Sequence, residues 1–181
     1  MSTLFIHGLN FIVGTIIGSH LLVIVRRFGQ ENFITERSHC DSCQIPLTLL
    51  NQIPIFSFMR YKGHCFFCNA PIPIETFYCE LLGGIAFFPL NPYFDQSYYL
   101  FITLIFLISI FDYFDQSFPT FILLPLILLV FLTRSFSSYD ITEWILIFTT
   151  ISIFLIMNLK NKFGYGDTII FAILIFYYDF Y

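Results

Sequence analysis

The chain has 181 residues, of which 57% are hydrophobic and only 11% charged, with 26 phenylalanines and a formal net charge of −4. A soluble domain holds about twice that share of charged residues, so the composition excludes an ordinary soluble fold and predicts an all-α integral membrane protein. No acidic or basic block stands out, so nothing points to a polyanion, and no nucleic-acid partner is expected.

Six apolar stretches predict about six transmembrane helices: Leu4 to Val25, Phe77 to Leu90, Tyr98 to Phe111, Phe118 to Leu132, Ile141 to Leu159 and Thr168 to Phe180. The first and fifth approach the roughly 20 residues that a span needs, and the shorter ones require tilting or extension by their polar flanks. The first stretch has no charge before its apolar core and no small-residue cleavage site, so it reads as a retained helix rather than a signal peptide. Gly14, Gly18 and Ser19 recur at helical spacing, a small-residue stripe suited to close helix packing in lipid. His20, next to them, reads as a packed or interfacial residue.

Residues 26–75 are polar and hold four of the five cysteines. Cys40-x2-Cys43 and Cys65-x2-Cys68, with 21 residues between the pairs, have the two-knuckle spacing of a zinc ribbon. A two-residue gap lets both thiolates of a pair reach one tetrahedral ion, and the loop brings the second pair to the same centre. A redox or disulfide set is the competing reading, but it does not suit the reducing cytoplasmic side. The zinc would be structural, since four cysteines leave no open position for water. His39 and His64, each just before a ligand cysteine, are possible substitutes for a thiolate. Cys79 reads as a small buried residue. Glu80 beside it is either a functional polar contact or a sign that its helix begins later.

Asp112 closes the third apolar stretch. If the helix continues, Asp115 shares its face; the expectation is that the helix has ended and Asp115 is a solvated loop residue. Pro119 suits the first turn of the next helix, and Asp140 and Glu143 suit the start of the fifth, where negative charge meets the positive helix end. Gly164-Tyr165-Gly166-Asp167 puts a carboxylate behind two glycines at the mouth of the last apolar stretch. Ionisable groups at membrane depth mark functional sites, and the glycines permit close backbone approach. Asp112 and Asp167 together read as an aspartic dyad sharing a proton, while an N-cap is the plainer reading of Asp167.

Charge places these segments relative to the membrane. Arg26, Arg27, Arg37, Arg60 and Lys62 fall in the first loop, Lys160 and Lys162 just before the glycines, and Arg134 stands apart. Basic loops face the cytoplasm. Six helices alternating from an outside N-terminus put seven of the eight basic residues inside, and both aspartates at the cytoplasmic face.

In this order the motifs resemble the prepilin peptidase (type IV leader peptidase) family: Gly18-Ser19 with Arg26-Arg27, Arg37-Ser38-x-Cys40-x2-Cys43, Ile53-Pro54-x-x-Ser57, Gly63-x-Cys65-x2-Cys68, Ala70-Pro71-Ile72, Glu80, Asp112 with Pro119, and Gly164-x-Gly166-Asp167. The resemblance implies an intramembrane aspartyl endopeptidase of the bacterial inner membrane that removes the short basic leader from prepilin-like precursors at the cytoplasmic face. It implies Asp112 and Asp167 as the catalytic pair, with Gly164 and Gly166 as motif support. Many members also methylate the new N-terminus with S-adenosylmethionine; no residue here independently marks a site for that cofactor. The implied division is 1–25 as first helix, 26–75 as zinc loop and 76–181 as peptidase domain. Abundant Phe, Ile, Asn and Tyr point to an AT-rich bacterial genome and to competence pseudopilins as substrates. Thr120 and Thr168 depart from the family pattern, and the sequence ends at Tyr181 where many members continue with further helices. A zinc-loop membrane scaffold without catalysis explains the cysteines equally well but not two aspartates at one face. A presenilin-like protease shares the glycine-aspartate motif but not the cysteine loop.

Overall fold

The computed structural model describes residues 3–29, 37–91, 96–133, 140–160 and 164–177. These are helical: α1 (Thr3–Arg26), α2 (Phe56–Arg60), α3 (Ile74–Phe87), α4 (Gln96–Asp115), α5 (Leu123–Thr133), α6 (Ile141–Leu159) and α7 (Tyr165–Tyr177), with 3-10 turns at Leu49–Gln52 and Thr120–Ile122. Among the described residues the strand-like pairings are two isolated bridges in the cysteine loop.

All six expected apolar stretches fold as helices, but they are not equivalent. Among the described residues three are long and apolar enough to cross a membrane: α1 with 24 residues, α4 with 20 and α6 with 19. Within the described residues α3, α5 and α7 have 14, 11 and 13, less than a bilayer core requires of an untilted helix. Arg134, Lys162 and the final residues of the last expected stretch lie outside the described residues.

The chain forms two compact units, Met1–Ser117 and Phe118–Tyr181. In the first, α1 and α3 run antiparallel with their backbones in contact. A Cβ built on Gly14 would overlap the Gly83 carbonyl, and one on Gly18 would overlap the Cys79 carbonyl. The small-residue stripe of α1 thus packs directly on α3. Between apolar helices in lipid, where burial from water adds nothing, such close van der Waals contact supplies the attraction. Polar pins flank it: His7 Nδ1 lies 2.8 Å from the Phe88 carbonyl, and the buried Asn10 side chain donates to the Leu90 carbonyl and accepts from Tyr99 Oη at 2.9 Å. The latter bond brings α4 onto the pair, where Phe87 packs edge-on against Tyr99 with centroids 5.6 Å apart.

At the other end of the trio, Phe28 meets Phe111 edge to face at 5.1 Å. The Arg26 guanidinium lies 5.5 Å from the centre of the Phe114 ring and 3.7 Å from the Glu75 carboxylate. These contacts carry α4 past Asp112 to Asp115. The helix stops because Gln116 adopts a left-handed backbone with φ 51°, its amide donating to the Asp112 carbonyl. Asp115 is therefore the last residue of a helix, not a loop residue; it is exposed, as expected, but it lies one turn from Asp112.

In the second unit, Asp140 and Glu143 form the expected start of α6 as a reciprocal capping box. The Ile141 amide donates to Asp140 Oδ1 at 2.7 Å, and the Asp140 amide to Glu143 Oε2 at 2.9 Å. Pro119 stands immediately before the 3-10 turn that leads into α5. Helix α7 packs antiparallel on α6 through rings: Phe154 stacks on Phe171 with centroids 4.6 Å apart, and Trp144 meets Phe176 at 6.2 Å.

Candidate metal centre and carboxylates

The cysteine loop holds a structural repeat. His39-Cys40-x-x-Cys43-Gln44-x-Pro46 and His64-Cys65-x-x-Cys68-Asn69-x-Pro71 match position for position, and their hydrogen bonds match too. Gln44 and Asn69 donate their amides to Cys40 O and Cys65 O at 2.8 and 3.0 Å, while Cys40 and Cys65 donate theirs to Ile45 O and Ala70 O. Each knuckle turns through a left-handed residue directly after its second cysteine, Gln44 and Asn69, both at φ 58°. The short amide side chain of Asn69 tolerates that region better than most. A bridge closes each knuckle, His39 to Pro46 and His64 to Pro71.

The two knuckles bring Cys40, Cys43, Cys65 and Cys68 together with all four Sγ atoms within 4.8 Å of one another. Cys40 Sγ and Cys68 Sγ are 3.8 Å apart, close to the edge of a tetrahedron with arms of about 2.3 Å, the usual metal–thiolate length. The donor set therefore fits a metal ion. The two histidines are not in it: His39 Nδ1 lies 3.0 Å from Arg37 O, and His64 Nδ1 lies 2.8 Å from Lys62 O. Electrostatics agrees with a shared cation. The Cys43 amide leads a set of hydrogen bonds that lower the Cys40 thiol to about 7. At Cys68 the Ala70 amide favours the thiolate, but lost solvation and the Cys43, Cys65 and Cys40 thiols outweigh it, raising the group to about 12. Four thiolates crowd one another, and a divalent ion is what lets all four form.

Glu80 lies well inside α3 and is 5% exposed, so it is a polar contact and not a mark of a later helix start. Its Oε1 accepts from Ser19 Oγ at 2.9 Å on α1, and its Oε2 accepts from the Ile55 amide at 2.6 Å in the loop. One carboxylate thus ties three segments. Ile55 has φ 61°, a conformation that costs a β-branched residue about 1–3 kcal/mol.

Asp112 belongs to the first unit and is exposed on the last turn of α4, at the end of the trio where the cysteine loop begins and ends. Asp167 belongs to the second unit and is exposed in the first turn of α7. It is the third helical residue rather than the cap, and its carboxylate folds back over Gly164, where a Cβ would stand 3.1 Å from Oδ2. Gly166 is equally constrained, since a Cβ there would stand 2.9 Å from the Phe118 ring. Behind Asp167, the buried Thr168 hydroxyl donates to Gly164 O at 3.2 Å and accepts from Asn158 Nδ2 at 3.4 Å on α6. Sequence reasoning passed over Asn10 and Asn158. Both are amides within otherwise apolar helices, which is itself a signal of a specific partner.

Residues 12–93 match the family model described as the Bacterial Peptidase A24 N-terminal domain. Among curated proteins, the chain is 30% identical over 96 residues to a Prepilin leader peptidase/N-methyltransferase of Myxococcus xanthus, covering 52% of this chain and 29% of that protein. It is 30% identical over 93 residues to a Type 4 prepilin-like proteins leader peptide-processing enzyme of Escherichia coli, covering 41% and 35%. It is 28% identical over 101 residues to a Prepilin leader peptidase/N-methyltransferase of Neisseria gonorrhoeae, covering 42% and 35%. The aligned stretches span about a third or less of these relatives' own length. No solved structure matches the chain. The cysteine loop and Glu80 lie inside the family match, and Asp112 and Asp167 lie beyond it.

Proposed function

We propose, from the premise that residues 12–93 belong to the N-terminal domain of the prepilin peptidase family, that this chain is an aspartic endopeptidase of the bacterial inner membrane. It removes the short basic leader from prepilin-like precursors at the cytoplasmic face. The observation that carries the reading is that the family match covers a cysteine loop whose two knuckles close on one four-thiol centre. Asp112 and Asp167 are the pair that does the chemistry. One carboxylate, ionised, takes a proton from water as the other, protonated, polarises the scissile carbonyl; the roles then reverse as the leaving amine is protonated.

In this reading residues 1–25 anchor the chain, 26–75 form the metal loop and 76–181 carry both carboxylates. Six membrane segments alternate from an outside N-terminus, which puts seven of the eight basic residues on the cytoplasmic side. Cys40, Cys43, Cys65 and Cys68 hold zinc, which cross-links the loop and, with four thiolates, has no open position for a reacting water. The relatives' printed names support a second activity, methylation of the newly exposed N-terminus with S-adenosylmethionine. Pseudopilins of a competence system are the proposed substrates.

A leader-processing assay in membranes, with matched protein levels and mass spectrometry of the product N-terminus, tests the reading. Asp112→Asn and Asp167→Asn each abolish cleavage while the protein stays inserted, and Asp115→Asn cleaves nearly normally. Normal cleavage by Asp167→Asn would exclude the dyad. Loss in Asp115→Asn with Asp112→Asn active would move the first carboxylate by one helical turn. A mass shift of one methyl group on the product reports the second activity.

A further inference from the structure

The two ends of the cysteine loop are level with each other, because Arg26 at the end of α1 pairs with Glu75 in the first turn of α3. The middle of the loop is not at that level. Ile55 donates its amide to Glu80, which also holds Ser19. Glu80 is five residues further into α3 than Glu75, about 7.5 Å along the axis, and Ser19 is seven residues back from Arg26 along α1, about 10 Å. The chain around Ile55 therefore turns back beside the helix pair, toward its apolar middle.

The segment that returns is apolar on its free side. Leu49 and Leu50 on the 3-10 turn are 83% and 71% exposed, and Phe56 and Met59, one turn apart on α2, are 52% and 68% exposed. Two exposed cations, Arg60 and Lys62, follow at once. Its backbone is largely held in short helical turns, as a boundary location requires where water is scarce. It also covers the Glu80 carboxylate, which would be costly facing acyl chains.

We propose that residues 49–62 are a re-entrant interfacial segment seated in the bilayer that α1 enters, with Leu49, Leu50, Phe56 and Met59 among the acyl chains and Arg60 and Lys62 at the lipid phosphates. The implied depth matches the 5–10 Å to which interfacial apolar faces are buried. Lipid is the occupant because the segment is continuous with a membrane-length helix, is held beside that helix by Glu80, and carries cations where anionic headgroups lie. This deepens the membrane reading of α1 and does not depend on the catalytic one.

The test uses the full-length protein in vesicles of phosphatidylcholine and phosphatidylglycerol with dibrominated acyl chains, which quench nearby tryptophan. The single native tryptophan is removed as Trp144→Phe, and one tryptophan is introduced at a time. Ile12→Trp, exposed on α1, reports the span, and Ser42→Trp, at the tip of the first knuckle, reports water. Leu50→Trp and Met59→Trp are expected to lose most of their fluorescence, as Ile12→Trp does, while Ser42→Trp keeps its own. Adding Glu80→Ala should restore the Leu50→Trp signal and leave Ile12→Trp quenched; persistent quenching at Leu50→Trp would overturn Glu80 as the pin. If Leu50→Trp and Met59→Trp behave like Ser42→Trp while Ile12→Trp is quenched, the segment is not in lipid. Relief of their quenching by a peptide with a basic leader and an apolar helix would make a protein chain the occupant and likewise overturn the proposal. An unquenched Ile12→Trp would instead remove the membrane reading of α1 itself.

Discussion

The helix pairs α1–α3 and α6–α7 both run antiparallel, yet they are held by opposite means. In the first, glycine lets backbone meet backbone: Gly14 lies against Gly83 and Gly18 against the Cys79 carbonyl. In the second, rings meet across the pair, with Phe154 stacked on Phe171 at an interplanar angle of 16°. Backbone contact cannot absorb an added atom, whereas a stack of rings loses attraction in proportion to what is removed. The first pair is thus a fixed frame, and the cysteine loop and Glu80 hang from it. The second is graded in strength, and it presents Asp167 on a first turn held by Thr168 and Asn158.

The largest expected effect separates the pairs by their attachments. Stripping the proposed zinc removes on the order of 10 kcal/mol of binding free energy that holds the loop closed. Trypsin should then cut at Arg60 and Lys62, while cleavage at Lys160 beside α6 stays unchanged; loss of protection at both places would mean that the metal supports more than the loop. Next comes Gly14→Leu, whose side chain would overlap the Gly83 carbonyl. It should destabilise the first unit by about 3 kcal/mol or more, read as a lowered unfolding midpoint in detergent. Gly8→Ala is the control, because a Cβ there meets nothing within 4 Å, and it should stabilise α1 by up to about 1 kcal/mol. Equal destabilisation by the two variants would remove the distinction drawn here.

Phe154→Ala should be milder and local to the second unit, at about 1–2 kcal/mol, with a coupling to Phe171→Ala near 1 kcal/mol in a double-mutant cycle. Smallest is Thr168→Val, which removes a hydroxyl bonded to Gly164 O and Asn158 and should lower stability by about 1 kcal/mol. A loss as large as that of Gly14→Leu would show that the second unit also depends on a rigid contact.

Much of the first pair was legible before the structure. Two glycines and a serine at helical spacing inside an apolar run have few uses besides close packing, and α3 lies on that face. The cysteine spacing likewise led to a single four-thiol cluster, and Asp140 with Glu143 led to a capping box. What stayed hidden depends on distant partners. Glu80 is held by residues 61 and 25 positions away, which no local pattern reveals. Asp115 was misplaced because Asp112 to Pro119 reads locally as a polar connection; contacts of Arg26 and Phe28 with Phe114 and Phe111 carry the helix through it. The ring stacks were illegible for a different reason: with 26 phenylalanines in the chain, no spacing singles out Phe154 and Phe171. The start of α5 was illegible because hydropathy runs on through Phe118 and the 3-10 turn at Thr120–Ile122, which precede the helix, and α3 begins at Ile74, three residues before its apolar stretch.

The repeated knuckles bear on how the loop comes to exist during synthesis. Each closes by its own hydrogen bonds within eight residues, from His39 to Pro46 and from His64 to Pro71, so neither needs the other to take shape. A growing chain completes the first as a bidentate half-site while the second is still being translated. Only one longer closure then remains, between two preformed halves, and its entropy grows slowly with the length of chain between them. An ion held by the four thiols would then be captured in two steps set by translation order, with the loop joined to the α1–α3 frame once Glu80 has emerged to meet Ile55.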